Sequence, residues 1–505
     1  MSKRRIKRAF SLLLALLLLL PFASCSNAPA EEAETPKEDV RPGVTEVEET
    51  DSKTPNWDKV EKPDLGGISI DIIQCPPSAN YYDALDWDEM TGDKLSDAIY
   101  DRNRFVEGQL NMTLNVLKED GAGNKLMQSA IAGSGDYDLG FDLIQSYGGG
   151  LLQKGLLRSY NTIRTIDLTE PWWDQAALET TTVKGQSFFG LLDFSFDMLE
   201  SLTVLFYNGE LITEYQLDDP YELFLEEKWT IDRMVAMMEV ASVDVNNDGK
   251  YSIKTDSFGL AGREYWFQPM IFTSGLELVS WNDQDGQFVM HLGEERFITV
   301  AEAIGNIYVK GNPLVDYSDY DAGRIAFKEG RALFYSRLLG DYNNLRTNED
   351  DYGVIGFPRY DYDYTGGESR YFVQNPDALF LPVVVGDDNG DGKGDYDEIG
   401  YFLQAVGSYS RDVTKEVYVE NAVIGKGMRD QNSAEAVRYM MAHLGYDLNQ
   451  YYGLTSILQG YGDSIMANAN YASKAKALEK QFAKLTGKIV EAIEKAVEKQ
   501  AEYMG

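Results

Sequence analysis

Cysteine and histidine are nearly absent: the 505 residues hold two of each. Cys25 and Cys75 offer at most one intrachain pair, so no disulfide framework exists. His291 and His443 are too few for a multi-histidine zinc centre. No G-x-S-x-G elbow, H-E-x-x-H pair or P-loop occurs. Basic residues are also scarce, 46 Lys and Arg against 82 Asp and Glu, for a net charge of −36. So acidic a chain repels nucleic acid, which excludes that class of partner. Past the first 20 residues no apolar run approaches the roughly 20 residues a spanning helix needs.

What is present begins with an export signal. Lys3, Arg4, Arg5, Lys7 and Arg8 precede a leucine run over Leu12–Leu20, and the small residues Ala23 and Ser24 precede Cys25. "FASCSN" resembles a bacterial lipobox, in which the cysteine thiol takes a lipid and becomes the mature N-terminus. The predicted organisation is a lipoprotein signal peptide over 1–24, then an acidic tether over 25–65. The tether is rich in Glu, Pro, Thr and Ala and has no apolar period, so it cannot bury enough surface to offset chain entropy. Losing a leader with five basic and no acidic residues takes the charge from −36 to about −41. The folded body is expected from near Gly66 and is long enough for two lobes.

The body opens as α/β. "GISIDIIQC" alternates like a strand, and Leu95, Ile99, Val106 and Leu110 fall at helical spacing before a second strand. "NKLMQSAIAGSGDYDLGFDLIQSYGGG" reads as helix, turn, strand and glycine-rich loop. A β-α-β-α-β order implies a sheet flanked by helices, with ligands beyond the carboxyl ends of the strands. Further on, "KWTIDRMVAMMEVA" predicts a helix capped by Thr230. "RALFYSRLL" and "DYGVIGFPRY" predict strands. The tail predicts one long helix whose buried stripe is Leu478, Phe482, Leu485, Ile489, Ile493 and Val497.

Seven phrases in order, "GDYDLGFDLIQSYGGGLLQKGLL", "PWWDQAAL", "LFYNGELI", "KWTIDRM", "FKEGRALFYS", "DYGVIGFPRYD" and "RDQNSAEAVRYMM", resemble the extracellular solute-binding proteins of ABC importers, in the carbohydrate-binding group that includes maltose-binding protein. The resemblance implies a two-lobed α/β periplasmic-binding-protein-like (type II) fold with a hinge and an interlobe ligand cleft. It divides the body into an N-terminal lobe, 66–196 plus 377–429, and a C-terminal lobe, 197–376 plus 430–505. It implies a non-enzymatic monomer, lipid-anchored on the extracellular face of the bacterial cell membrane, that captures a carbohydrate and delivers it to an ABC transporter permease. The alternatives are an exported carbohydrate-active hydrolase and a calcium-stabilised surface adhesin or scaffold.

Sugars present apolar faces and a ring of hydroxyls, which aromatic rings and planar polar groups recognise. By resemblance, Gln145 and Tyr147 form a ligand loop, Tyr265 and Trp266 a stacking segment, and Tyr335 and Arg337 a strand end at the cleft. Trp173 and Asp174 of "PWWD" read equally as cleft contacts or as a brace within a lobe. Two loops also have EF-hand-type spacing. "DDNGDGKGDYDE" places Asp387, Asn389, Asp391, the Lys393 carbonyl, Asp395 and Glu398 where oxygens surround a Ca2+ ion. "DVNNDGKYSIKTD" offers Asp244, Asn246 and Asp248, but its twelfth position is Thr255, so the bidentate acid is missing unless Asp256 shifts in. Each loop also reads as a polar turn that needs no metal. A calcium ion here would be structural, pinning a loop.

Overall fold

The structure is a computed structural model that describes residues 55–77, 82–262, 267–348, 350–390, 392–425, 428 and 430–503. The expected signal peptide, Cys25 and the tether as far as residue 54 lie outside them. In chain order the strands are β1 (Ser69–Gln74), β2 (Thr113–Lys118), β3 (Leu139–Leu143), β4 (Phe189–Gly190), β5 (Thr203–Asn208), β6 (Phe258–Ala261), β7 (Val279–Asn282), β8 (Gln287–Met290), β9 (Val315–Asp316), β10 (Ala332–Leu338), β11 (Tyr352–Ile355), β12 (Tyr371–Phe372), β13 (Asp377–Phe380) and β14 (Leu444–Gly445).

Two five-stranded sheets organise the molecule. The first has the order β2-β1-β3-β13-β4, the second β11-β5-β10-β6-β9. In the first, β1 runs parallel to β2 and β3, while β13 returns antiparallel between β3 and β4. In the second, β10 pairs parallel with β6 and antiparallel with β5. This is a two-lobed α/β architecture.

Local chemistry accounts for the elements. The helix Lys94–Leu110 starts at Asp93, whose side chain accepts from the amides of Leu95 and Ser96. It buries Leu95, Ile99, Val106 and Leu110 against the first sheet. Ile231–Ala241 starts at Thr230, whose hydroxyl accepts from the Arg233 amide, and buries Ile231, Met234 and Met238. The tail is a single helix, Tyr471–Tyr503; Leu478, Phe482, Ile489 and Ile493 are buried, while Val497 is exposed.

Two expectations shift. Order begins before Gly66: Asn56–Lys59 is a short helix, and Trp57 packs against Phe105 and Tyr409 with ring centroids 4.9 and 5.9 Å away. The glycines after β3 form no loop either. Gly148, Gly149 and Gly150 lie inside the helix Ile144–Gln153. A Cβ on Gly149 would sit 2.6 Å from the Gly453 nitrogen, so glycine serves there to let two backbones touch.

Candidate cleft between the two sheets

Two chain segments join the sheets. The first leaves the β4 side through Phe194 and Asp197 into β5; the second runs from β12 through Gln374 and Asn375 into β13. They lie side by side. Leu202 bridges Val373, the Gln374 amide donates to the Ser201 carbonyl (2.8 Å), and the Asp377 amide donates to Asp197 Oδ2 (2.6 Å). Asn375 ties this crossing to the rim of the first sheet, its Oδ1 accepting from the Gln145 amide at 3.0 Å.

The rim consists of strand ends. The helix Ile144–Gln153 starts directly after β3, which puts Gln145 and Tyr147 half-buried on its first turns. The Tyr147 ring lies over Gly123, where a Cβ would come within 2.3 Å of it, and its hydroxyl is 3.4 Å from Asn124 Nδ2. The loop after β1 is held by Arg102, a fully buried guanidinium. It donates to the carbonyls of Ala84 (3.0 Å), Leu85 (2.7 Å) and Phe194 (2.9 Å), locking loop and first crossing together.

Carboxyl groups gather at this floor. Asp142 ends β3 and accepts from the Gly123 and Leu143 amides at 2.9 and 2.7 Å. Glu200 is 1% exposed, and its Oε1 has no hydrogen-bond partner among the described residues. Burial, then the charges of Asp197 and Asp377, hold Glu200 well above the usual carboxylate range. Burial likewise raises Asp197 and Asp377, which face each other. Burial, then the charges of Asp142 and Asp377, push the Cys75 thiol up to about 11, so it is neutral. Among the described residues no lysine or arginine acts on Asp142, Asp197, Glu200 or Asp377. Carboxyl oxygens accept hydrogen bonds from hydroxyl groups.

No protein-family model and no curated protein matches the chain, but solved structures do. The GacH receptor of Streptomyces glaucescens, solved unliganded and with acarbose, is 13% identical; the match covers 83% of this chain and 99% of that one, with a TM-score of 0.50. An ABC substrate-binding protein from Listeria monocytogenes, solved with cycloalternan, is 11% identical, over 83% of this chain and 99% of that one, also with a TM-score of 0.50. The chain shares its fold with these two proteins.

On this binding-protein fold the expected contacts separate. Gln145 and Tyr147 share the first-lobe rim. Trp173 is 1% exposed, its Nε1 donates to Gln404 Oε1 (2.8 Å), and its ring packs on Tyr160. Asp174 caps the helix Gln175–Thr181 through the Ala177 amide and accepts from the Tyr446 hydroxyl at 2.7 Å. Trp173 is thus packed within the first lobe, while Asp174 reaches Tyr446 of the segment 430–505. Tyr335 does not reach a cleft: it is 0% exposed, stacked near Phe206 and Phe327, and donates to Asp341 Oδ2 (3.0 Å). Its inward direction follows from strand alternation on β10, which turns it towards the helix packed on the sheet. Arg337 lies 3.8 Å from the same carboxylate. Tyr265 and Trp266 fall outside the described residues. The sequence reading missed Asp142, Asp197, Glu200 and Asp377. Their signal was a charge set within an apolar run, as in "GFDLI" and "FSFDMLES".

The two acidic loops differ in detail. In the first, Asp387 Oδ2 accepts from the Gly392 amide (3.0 Å), Asp395 from the Asp388 amide (2.7 Å), and Glu398 Oε1 from Asn389 Nδ2 (2.9 Å). The helix Tyr396–Tyr409 begins within the loop and carries Glu398 on its first turn. Asp391 lies outside the described residues, as does the contribution it would make. In the second, Asp244 Oδ2 accepts from the Gly249 amide at 2.8 Å. Asp256 is buried and taken up by the Val245 and Ser252 amides and the Thr255 hydroxyl. Among the described residues no group of three or more His, Cys, Asp or Glu is placed to hold a metal ion.

Proposed function

We propose that this chain is a substrate-binding lipoprotein: anchored through Cys25 on the outer face of a bacterial membrane, it captures a carbohydrate and delivers it to an ABC permease. The observation that carries the reading is the fold match, which runs over 99% of the length of two binding proteins solved with acarbose and with cycloalternan. The rim adds chemical sense, since Tyr147 offers an aromatic ring and Gln145 an amide on the first turns of one helix, the kinds of group that recognise a sugar's faces and hydroxyls. A ligand that touches both lobes only when they close would shift the population towards the closed form. That form would present a new surface to the permease, and a separate ATPase would supply the power. Among the described residues no helix is long and apolar enough to cross a membrane, so attachment in this reading falls to the lipid. Calcium belongs to the same reading at the 387–398 loop, on the EF-hand-type spacing of its acidic residues, and would stiffen the start of one helix.

A glycan array followed by calorimetry tests the function. Saturable binding of an oligosaccharide without product release supports it. Hydrolysis of the glycan, or no binding of any glycan at millimolar concentration, overturns it.

A further inference from the structure

The C-terminal helix Tyr471–Tyr503 has 33 residues and is therefore about 50 Å long. The sequence reading gave it to the second lobe alone. Its first half does belong there. The Tyr471 hydroxyl donates to Asn468 Oδ1 (2.9 Å), and Asn468 Nδ2 donates to Asn306 Oδ1 (2.7 Å). Leu478 packs on Gly460, and Gln481 Nε2 donates to Ser456 Oγ at 2.8 Å. Ser456 and Gly460 lie on the helix Thr455–Ala467, which packs on Glu295–Tyr308 of the second lobe.

The last turns are fastened to the first lobe. Glu494 pairs with Lys184. Gln500 is 3% exposed: its Oε1 accepts from the Ser159 amide and its Nε2 donates to the Leu157 carbonyl, each at 3.4 Å. Leu157 itself bridges Pro382 beside β13. The helix also packs along Ile144–Gln153, which carries Gln145 and Tyr147. One continuous helix is thus tied to both lobes.

Between the two sets of ties stand Thr486 and Gly487. The Thr486 hydroxyl donates back to the Phe482 carbonyl at 2.9 Å, the kind of bond that competes with the helix ladder and often bends helices. Gly487 is exposed, and a Cβ there would meet nothing within 4 Å. Packing therefore gives no reason for a glycine, which is a poor helix former and a recurrent site of kinks.

We propose that this helix is a spring across the two lobes and that Thr486–Gly487 is its yield point, so that lobe motion is limited by bending there. The inference goes beyond the carbohydrate reading and holds for any ligand. Two measurements on ligand-free protein test it. Spin labels at Ile131→Cys and Ile325→Cys, which are 65% and 51% exposed on helices of the first and second lobe, report the interlobe distance in a Cys25→Ser, Cys75→Ser background. Gly487→Ala narrows the distance distribution, and Glu494→Ala with Gln500→Ala widens it. Hydrogen exchange by mass spectrometry shows amides 486–490 exchanging about tenfold faster than those of the flanking turns. Superposition of the Gly487→Ala distribution on the parent's, or uniform protection through the middle of the helix, overturns the proposal.

Discussion

Each lobe fixes the segment after a strand of its sheet with one buried charged group, and the two groups are opposite in sign. In the first lobe, Arg102 spends its donors on the carbonyls of Ala84, Leu85 and Phe194. Burial lowers it to about 9, against the raising effect of Asp86 and Asp83, so it stays charged at neutral pH. In the second lobe, Asp341 accepts from Tyr335 and Asn344 Nδ2 (2.6 Å), with Arg324 and Arg337 each 3.8 Å away. The guanidinium is the side chain that reaches the Ala84 and Phe194 carbonyls, while Asn103 Nδ2 shares the Leu85 carbonyl with it at 2.9 Å. The carboxylate sits among several side chains, each of which does part of the work. The first arrangement is brittle and the second redundant.

That contrast can be broken. Arg102→Ala should cost about 3–5 kcal/mol, because the Ala84 and Phe194 carbonyls lose their side-chain donor together and that of Leu85 keeps Asn103 alone. Chemical denaturation measures it, and a loss below about 1 kcal/mol would erase the difference between the lobes. Asp341→Asn should cost about 1–2 kcal/mol, and Tyr335→Phe about 1 kcal/mol. Neither should change ligand affinity, since both lie in the core. Tyr147→Ala should do the reverse, weakening binding about tenfold with little change in melting temperature. An unchanged dissociation constant would remove the first-lobe rim from the site.

Smaller effects refine the picture. Asp197 and Asp377 have raised folded values, so the native state holds their protons longer than the unfolded chain does. Their contribution to stability is full below the unfolded carboxylate range and is lost as pH rises through the raised values. Asp197→Asn should therefore flatten the fall in stability between acid and neutral pH, as read from melting temperatures across that range. A fall as steep as the parent's would exclude the pair as its source. The smallest effect separates the two acidic loops: calcium added to chelated protein should raise the melting temperature by about 1 kcal/mol equivalent. Asp387→Ala should abolish that rise and Asp244→Ala should spare it, because Asp256 already serves its own loop.

Much of this was legible in the sequence where local chemistry decides. β1, Lys94–Leu110 and Ile231–Ala241 follow from apolar spacing and from the caps Asp93 and Thr230. What depends on partners far along the chain was not. The glycines at 148–150 looked like a loop because the contact of Gly149 with Gly453 is invisible locally. Tyr335 looked like a cleft aromatic because its type fits, while its direction is set by the sheet. Asp142 and Asp377 are brought together only by the pairing of β13 with β3, which no window of sequence contains.

That pairing also orders events during synthesis. Every other strand of the first sheet has left the ribosome by Gly190, yet β13 is made only after all five strands of the second sheet. Until it arrives, β3 presents a bare edge, a template for illegitimate pairing. The nascent first lobe must therefore wait, half-zipped, for a strand from elsewhere. A fragment cut at the first crossing would inherit that vulnerability permanently and clump, whereas the whole polypeptide escapes it as soon as residue 380 can fold back.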